Sequence, residues 1–202
     1  MNSTLAQTQA ASRSERLAEV TDQLHEHLHT LVAAAAPFSQ KDRYIQWLKV
    51  QYRFQSRIAP LYQWVASDSQ FALPERGRLK HVEQDLTDLR QPLPDAVEAD
   101  PTANTLPKAL GWLFVSEGST LGAAILLKRA SQLGMTETFG ARHLAPAPEG
   151  RGRHWKAFIS ALNELPFNDA EETQLQDGAC TAFIHFGKLL EEEFALVAQR
   201  AG

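Results

Sequence analysis

Apolar residues recur every three or four positions along almost the whole chain. Nowhere do they alternate over a strand-length window bounded by turn signals, so the pattern admits helices and little else. The first helix opens at Ser12-Arg-Ser-Glu15, a hydroxyl at the N-cap with a carboxylate three residues on, which is a capping box. Leu17, Val20, Leu24, Leu28 and Leu31 carry it to about Val32, and Pro37 breaks it. Ser39 restarts a segment through Tyr44, Leu48, Tyr52 and Ile58. Pro60 is expected to end or kink that helix, because it lacks an N–H and its ring crowds the carbonyl one turn back. A third helix is expected over 74–90, on the stripe Leu79, Val82, Leu86 and Leu89. Pro92, Pro94, Pro101 and Pro107 mark a connecting loop before a long apolar helix over 106–133 that ends near Gly134. Residues 135–152 read as irregular with one short turn, and helices over 153–164 and 169–198 complete the chain. The last begins at Asn168 with an acidic first turn, as the helix dipole prefers. Residues 1–11 are polar and aperiodic and read as a disordered tail; 12–202 reads as one domain. The expectation is an all-α single domain of six or seven helices.

Composition narrows the function classes. A length of 202 residues suits one domain with a sizeable core. Twenty Lys and Arg against 24 Asp and Glu give a net charge of −4, which excludes a generally basic nucleic-acid binder. No uninterrupted run approaches the ~18 apolar residues of a membrane span. The N-terminus lacks the basic and apolar regions of a signal peptide. Cys180 has no second cysteine to pair with, fits a reducing cytoplasm, and reads as a small buried hydrophobe. A cytoplasmic chain, favoured as a monomer, with no nucleic-acid or membrane partner, is expected.

Two constellations carry chemistry. His25-Glu26-His27-Leu28-His29 spells H-E-x-x-H, which sets two histidines on one helical face beside a glutamate. A zinc hydrolase also needs a third protein ligand. Val32 and Ala35 stand where the extended motif has Gly and His, and no Glu occurs between Glu26 and Glu75. The plainer reading leaves these histidines solvated at the edge of a buried face. On a helical wheel His25 falls beside Ala18, Thr21 and Val32, small neighbours that leave room for something flat, while His27 sits on the opposite border. Periodicity does not choose between the two.

The second constellation is Gly111, Gly118 and Gly122 within one apolar helix, each costing about 1 kcal/mol relative to alanine. They share a stripe with Phe114, Ile125 and Arg129. Bare of side chains at its middle, that stripe admits either a closely crossing helix or a planar ligand. A histidine helix facing a glycine-bared helix could hold a flat macrocycle, with histidine on its iron and Arg129 near an anionic edge. Read plainly, Lys128 and Arg129 are cations that suit a helix C-terminus.

The segment Ala-Leu-Gly-Trp-Leu-Phe-Val-Ser-Glu-Gly-Ser-Thr-Leu-Gly-Ala-Ala (109–124) resembles the distal helix of bacterial haem (heme) oxygenases. Leu24-His25, Ala36-Pro37-Phe38, Val50-Gln51-Tyr52, Phe139-Gly-Ala-Arg-His-Leu144, Ala182-Phe183 and Phe186-Gly187 follow in the same order, so the resemblance spans about residues 13–198. It implies an all-α fold clamping haem b between a proximal and a distal helix. His25 becomes the proximal iron ligand, Gly118 and Gly122 the distal glycines with Ser119 beside them, and Phe114 and Phe186 the aromatic positions near the ring. It implies that haem, as both cofactor and substrate, is opened with O2 to biliverdin, releasing carbon monoxide and ferrous iron. Electrons would come from a ferredoxin or an NAD(P)H-dependent reductase, since the chain has no flavin, nicotinamide or iron–sulfur motif. The mammalian branch carries an aspartate immediately after its first distal glycine, where Ser119 stands here, so proton delivery must differ. Gln51, Gln55 and Arg78 are candidates to hold ordered water. Iron acquisition is the expected role, and supply of a bilin chromophore its variant. A haem carrier or sensor that does not degrade its ligand would share every binding residue.

Overall fold

Ser12 caps the first helix in the expected manner. Its hydroxyl accepts from the Glu15 N–H, and the Glu15 carboxylate accepts from the Ser12 N–H at 2.7 Å. In the computed structural model, which describes residues 11–67, 76–98 and 103–196, six α-helices follow one another: α1 (Arg13–Ala35), α2 (Lys41–Ser67), α3 (Leu79–Asp88), α4 (Leu106–Ser131), α5 (Arg151–Glu164) and α6 (Asp169–Glu193). A single 3-10 turn, Arg142–Leu144, sits in the irregular stretch between α4 and α5. There is no strand among the described residues. Apart from Ala11, the expected tail lies outside them.

Four boundaries differ from the sequence expectation by three residues or more, one of them the end of α6, at Glu193 where 198 was expected. Helix α1 runs one turn further, to Ala35, because nothing in Ala33–Ala35 opposes helix before Pro37. Helix α2 passes through Pro60 instead of ending there. Ile58, Leu61, Tyr62 and Val65 are buried on either side of the proline, and that apolar burial outweighs the ~3 kcal/mol a mid-helix proline costs. Helix α3 starts at Leu79, whereas 74 was expected; residues 76–78 are not helical, and 74 and 75 lie outside the described residues. Arg76 and Arg78 reach instead to partners on other elements. The sixth helix opens with the expected cap, Asn168 accepting from the Ala170 and Glu171 N–H groups.

The core is centred on α4 and α6, with Tyr44, Trp112 and Phe158 among the largest fully buried side chains. A Cβ on Gly111 would collide with the backbone of Leu175 and Ala179, and one on Gly178 with the backbone of Lys108. Backbone therefore touches backbone where α4 crosses α6. By length and composition α4 is apolar enough to span a membrane, contrary to the run-length reading of the sequence. Half of that stretch is buried inside the protein, which is how a central core helix also reads. Gly134, at φ +83°, takes the left-handed turn that follows α4.

Candidate functional site

The glycine stripe of α4 divides into two parts. Gly111 is consumed by the crossing with α6. Two and three turns further on, Gly118 and Gly122 front a cavity of about 730 Å³ enclosed mainly by α1, α2, α4 and α6. A Cβ on Gly122 would meet nothing within 4 Å, and one on Gly118 would meet only the Trp155 ring, at 3.6 Å. The same face thus closes on a neighbouring helix at one end and stands open at the other.

Across the cavity, α1 presents His25 together with Ala18, Thr21 and Val32, the small neighbours read from the helical wheel. The His25 side chain is 49% exposed. Its ring stands edge-on to Phe183 at 6.0 Å and tilts against His29 at 4.2 Å. His29 also lines the cavity and His27 does not, so the fold separates histidines that periodicity left equivalent.

The other expected site residues are gathered around the same space. Phe114 packs against Trp155 at 5.5 Å, and Phe186 is wedged between Trp47 at 5.9 Å and Phe54 at 5.1 Å. Arg129 is an exposed cation at the rim. Ser119 lines the cavity, but its hydroxyl donates to the Ser116 carbonyl at 2.6 Å, leaving only its lone pairs for a ligand or water. Gln51, Gln55 and Arg78 border the cavity too. Arg78 is committed to the carbonyls of His143 and Ala145, at 2.7 and 3.0 Å.

Sequence reasoning missed three contributors. Trp155 comes from α5 and bears no local signal that could have marked it, while Phe183 comes from α6 and stands in a segment matched to the family without a role assigned to it. His143 lies in the 3-10 turn and borders the cavity, with its side chain 3% exposed. Its Nδ1 lies 2.7 Å from the fully buried Asp85 carboxylate, which also accepts the Arg142 and His143 N–H groups at 2.8 and 3.0 Å. An acceptor so placed fixes Nδ1 as the donor, and the buried Nε2 has no hydrogen-bond partner among the described residues. A buried polar atom left this way is available to a ligand or to water.

Behind the glycines lies a second buried polar group. Glu117 is 1% exposed; it accepts from the Tyr62 hydroxyl at 2.8 Å and pairs with Arg76 and His154, each at 3.1 Å. His154 Nδ1 meets the Glu149 carboxylate at 2.6 Å. The Glu117 carboxylate 3.1 Å from Nε2, followed by the Glu149 carboxylate at Nδ1, holds the His154 imidazole above its ordinary pKa against burial and against Arg76, whose Nε donates to Nε2 at 3.0 Å. Residues from α2, α4, α5 and the segment before α3 are thereby tied together directly beside Gly118.

The cavity has the size and apolar lining of a small-molecule site. One wall offers a half-exposed imidazole, the facing wall lacks side chains at Gly122, and His143 borders the space. These features fit a flat, iron-bearing macrocycle such as haem.

Comparison with known proteins agrees. The sequence profile of the heme oxygenase family matches residues 11–192. The chain is 43% identical over 185 residues to heme oxygenase PigA of Pseudomonas aeruginosa, covering 91% of this chain and 93% of that protein. The structure of the NO- and CO-bound heme oxygenase of Neisseria meningitidis superposes with a TM-score of 0.86 at 37% identity, over 95% of this chain and 96% of that one. The heme oxygenase-1 of the cyanobacterium Synechocystis, solved with heme, shares the fold at a TM-score of 0.71 and 20% identity, over 90% and 92% of the two chains. Its sequence, its fold and its cavity together make this chain a member of the heme oxygenase family.

Proposed function

We propose that this chain is a haem oxygenase that cleaves haem b at a meso carbon, with His25 as the proximal iron ligand. The reading rests on one juxtaposition: in a chain of this family, His25 and the bare backbone of Gly118 and Gly122 form opposite walls of one cavity. Bound haem supplies both the iron that activates O2 and the ring that is opened, to biliverdin with release of carbon monoxide and ferrous iron.

The residues divide the remaining work. His25 would hold the iron as an imidazole ligand, without the electron push that a thiolate gives. Gly118 and Gly122 leave bare backbone at the distal wall, so a ring face could lie close against it and be shielded on that side. The Phe114 and Phe186 rings and the Trp155 indole supply apolar packing around the macrocycle. Arg129 meets an anionic edge group and so helps set how the ring is rotated and which carbon is attacked. The distal wall at Gly118 and Gly122 is bare backbone and supplies no acid–base side chain of its own, so proton delivery falls to ordered water. His143, with Nδ1 anchored on Asp85, is placed to hold such a water through Nε2, and the Ser119 lone pairs and Gln51 are further acceptors. Electrons come from a ferredoxin or an NAD(P)H-dependent reductase through weak docking. Iron acquisition in the cytoplasm is the role this assigns.

The test is a haemin titration of the purified protein, followed by ascorbate or a reductase under air. A Soret band that decays while a broad red bilin absorption grows is expected. A stable ferrous-oxy spectrum would instead mark a carrier that does not turn haem over.

A further inference from the structure

Helix α1 carries more ligand chemistry than one haem iron uses. His25 and His29 stand one helical turn apart, and Glu26 lies between them. Its Oε1 is 3.7 Å from His25 Nδ1 and 3.9 Å from His29 Nδ1. One ligand atom from each of the three lies within 4.8 Å of the others. Two ligands ~2.1 Å from one ion at a tetrahedral angle sit ~3.4 Å apart, so each pair with Glu26 has only a few tenths of an ångström to close. The side chains are 49%, 69% and 63% exposed, in the order His25, Glu26, His29, which leaves solvent-filled space for so small an adjustment. Asp22, one turn earlier on the same face, adds a second negative charge.

We propose that His25, Glu26 and His29 form a second metal site, for a free divalent transition ion such as zinc or ferrous iron, and that this site and haem exclude one another because they share His25. Two neutral imidazoles and one carboxylate are a ligand set suited to both ions, with coordination positions left for water. An ion held by His25 Nδ1 together with Glu26 and His29 fixes the rotation of the imidazole, which then no longer turns its other nitrogen onto an iron across the cavity. Occupation of the site therefore removes the proximal ligand. The exclusion rests on the assignment of His25 as that ligand; the site itself rests only on the three side chains. Ferrous iron set free by ring opening would then hold back the next haem until it is carried away.

The experiment uses the full-length apoprotein and Zn2+ as a redox-inert probe, measured by calorimetry. One equivalent is expected to bind, with affinity falling at least tenfold in His29→Ala and, separately, in Glu26→Gln; both positions are exposed and outside the core. With zinc at about ten times the wild-type Kd, the apparent Kd for haemin should rise about tenfold in the wild type and by no more than about twofold in His29→Ala. No stoichiometric zinc binding, or binding untouched by both variants, overturns the site. A parallel haemin titration of His25→Ala without zinc separates the two claims. If that variant has lost histidine ligation and wild-type haem affinity still ignores zinc, only the exclusion proposed here is overturned. If it keeps histidine ligation, the proximal assignment fails and takes the shared ligand with it.

Discussion

His25 shows how little a functional side chain need contribute to a fold. Its imidazole is half exposed and takes no part in the buried core. Removing it belongs with surface substitutions, within about 0.5 kcal/mol of neutral. We expect His25→Ala to unfold at nearly the wild-type denaturant concentration yet to lose turnover, and added imidazole to restore part of the activity. Biliverdin formation at the wild-type rate without imidazole would remove His25 from the reaction. His143 is the opposite case, a buried ring held by a buried carboxylate. Leucine there keeps most of the volume and discards Nε2. His143→Leu should load haem normally while ring opening slows by about ten- to a hundredfold, the range seen when a group supporting a metal site is lost. Stopped-flow spectra of the pre-loaded protein would separate the two steps. The sequence alone made His25 a candidate through its position on the wheel, and family resemblance chose it over His27. His143 stands inside a segment matched to the family, but with no role assigned, because its significance comes from Asp85, 58 residues away.

Among the helices, the glycines of α4 make the clearest contrast. Gly111 and Gly178 let two backbones meet, whereas Gly122 meets nothing. Gly111→Ala should therefore destabilise the protein by about 3 kcal/mol, since neither backbone can retreat without moving a whole helix. Gly122→Ala should leave the apoprotein as stable or raise it by up to ~1 kcal/mol, because alanine is the better helix former. Gly122→Leu should fold and fail to bind haem. Urea denaturation and haemin titration of the three variants check these outcomes together; normal haem affinity in Gly122→Leu would leave that glycine without a part in the site. Spacing alone offered helix crossing and planar ligand as alternatives for the whole stripe. Both are present, one at each end, and only the course of α6 along α4 decides where the change occurs. Pro60 teaches the same lesson in reverse: a strong local breaker yields to burial on both sides of it.

For the molecule as a whole, the Glu117–His154 pairing links global stability to pH. His154 has a pKa raised above its ordinary 6.5, chiefly by the Glu117 carboxylate. The folded state therefore holds a proton that the unfolded chain releases more readily. The stabilisation is complete below about pH 6.5, the unfolded value, and fades as pH rises through the raised folded value. We expect the urea midpoint of the wild type to fall over that interval, and the fall to be absent in His154→Gln. At pH 6 the variant should be less stable by about 2 kcal/mol, in line with loss of charge-assisted hydrogen bonds in a mostly buried site. Equal pH slopes in the two proteins would mean that His154 is not the group responsible.

The sequence by itself determined the helical class, the caps at Ser12 and Asn168, the order of the elements and the two helices that face the cavity. These follow from local periodicity and end chemistry, which need only a few neighbouring residues. Tertiary structure alone decided that Gly111 closes while Gly122 opens, that α2 survives Pro60, and that Trp155, Phe183 and His143 join the site. Each of those outcomes depends on which distant segment packs against a given face, and no local spacing carries that information.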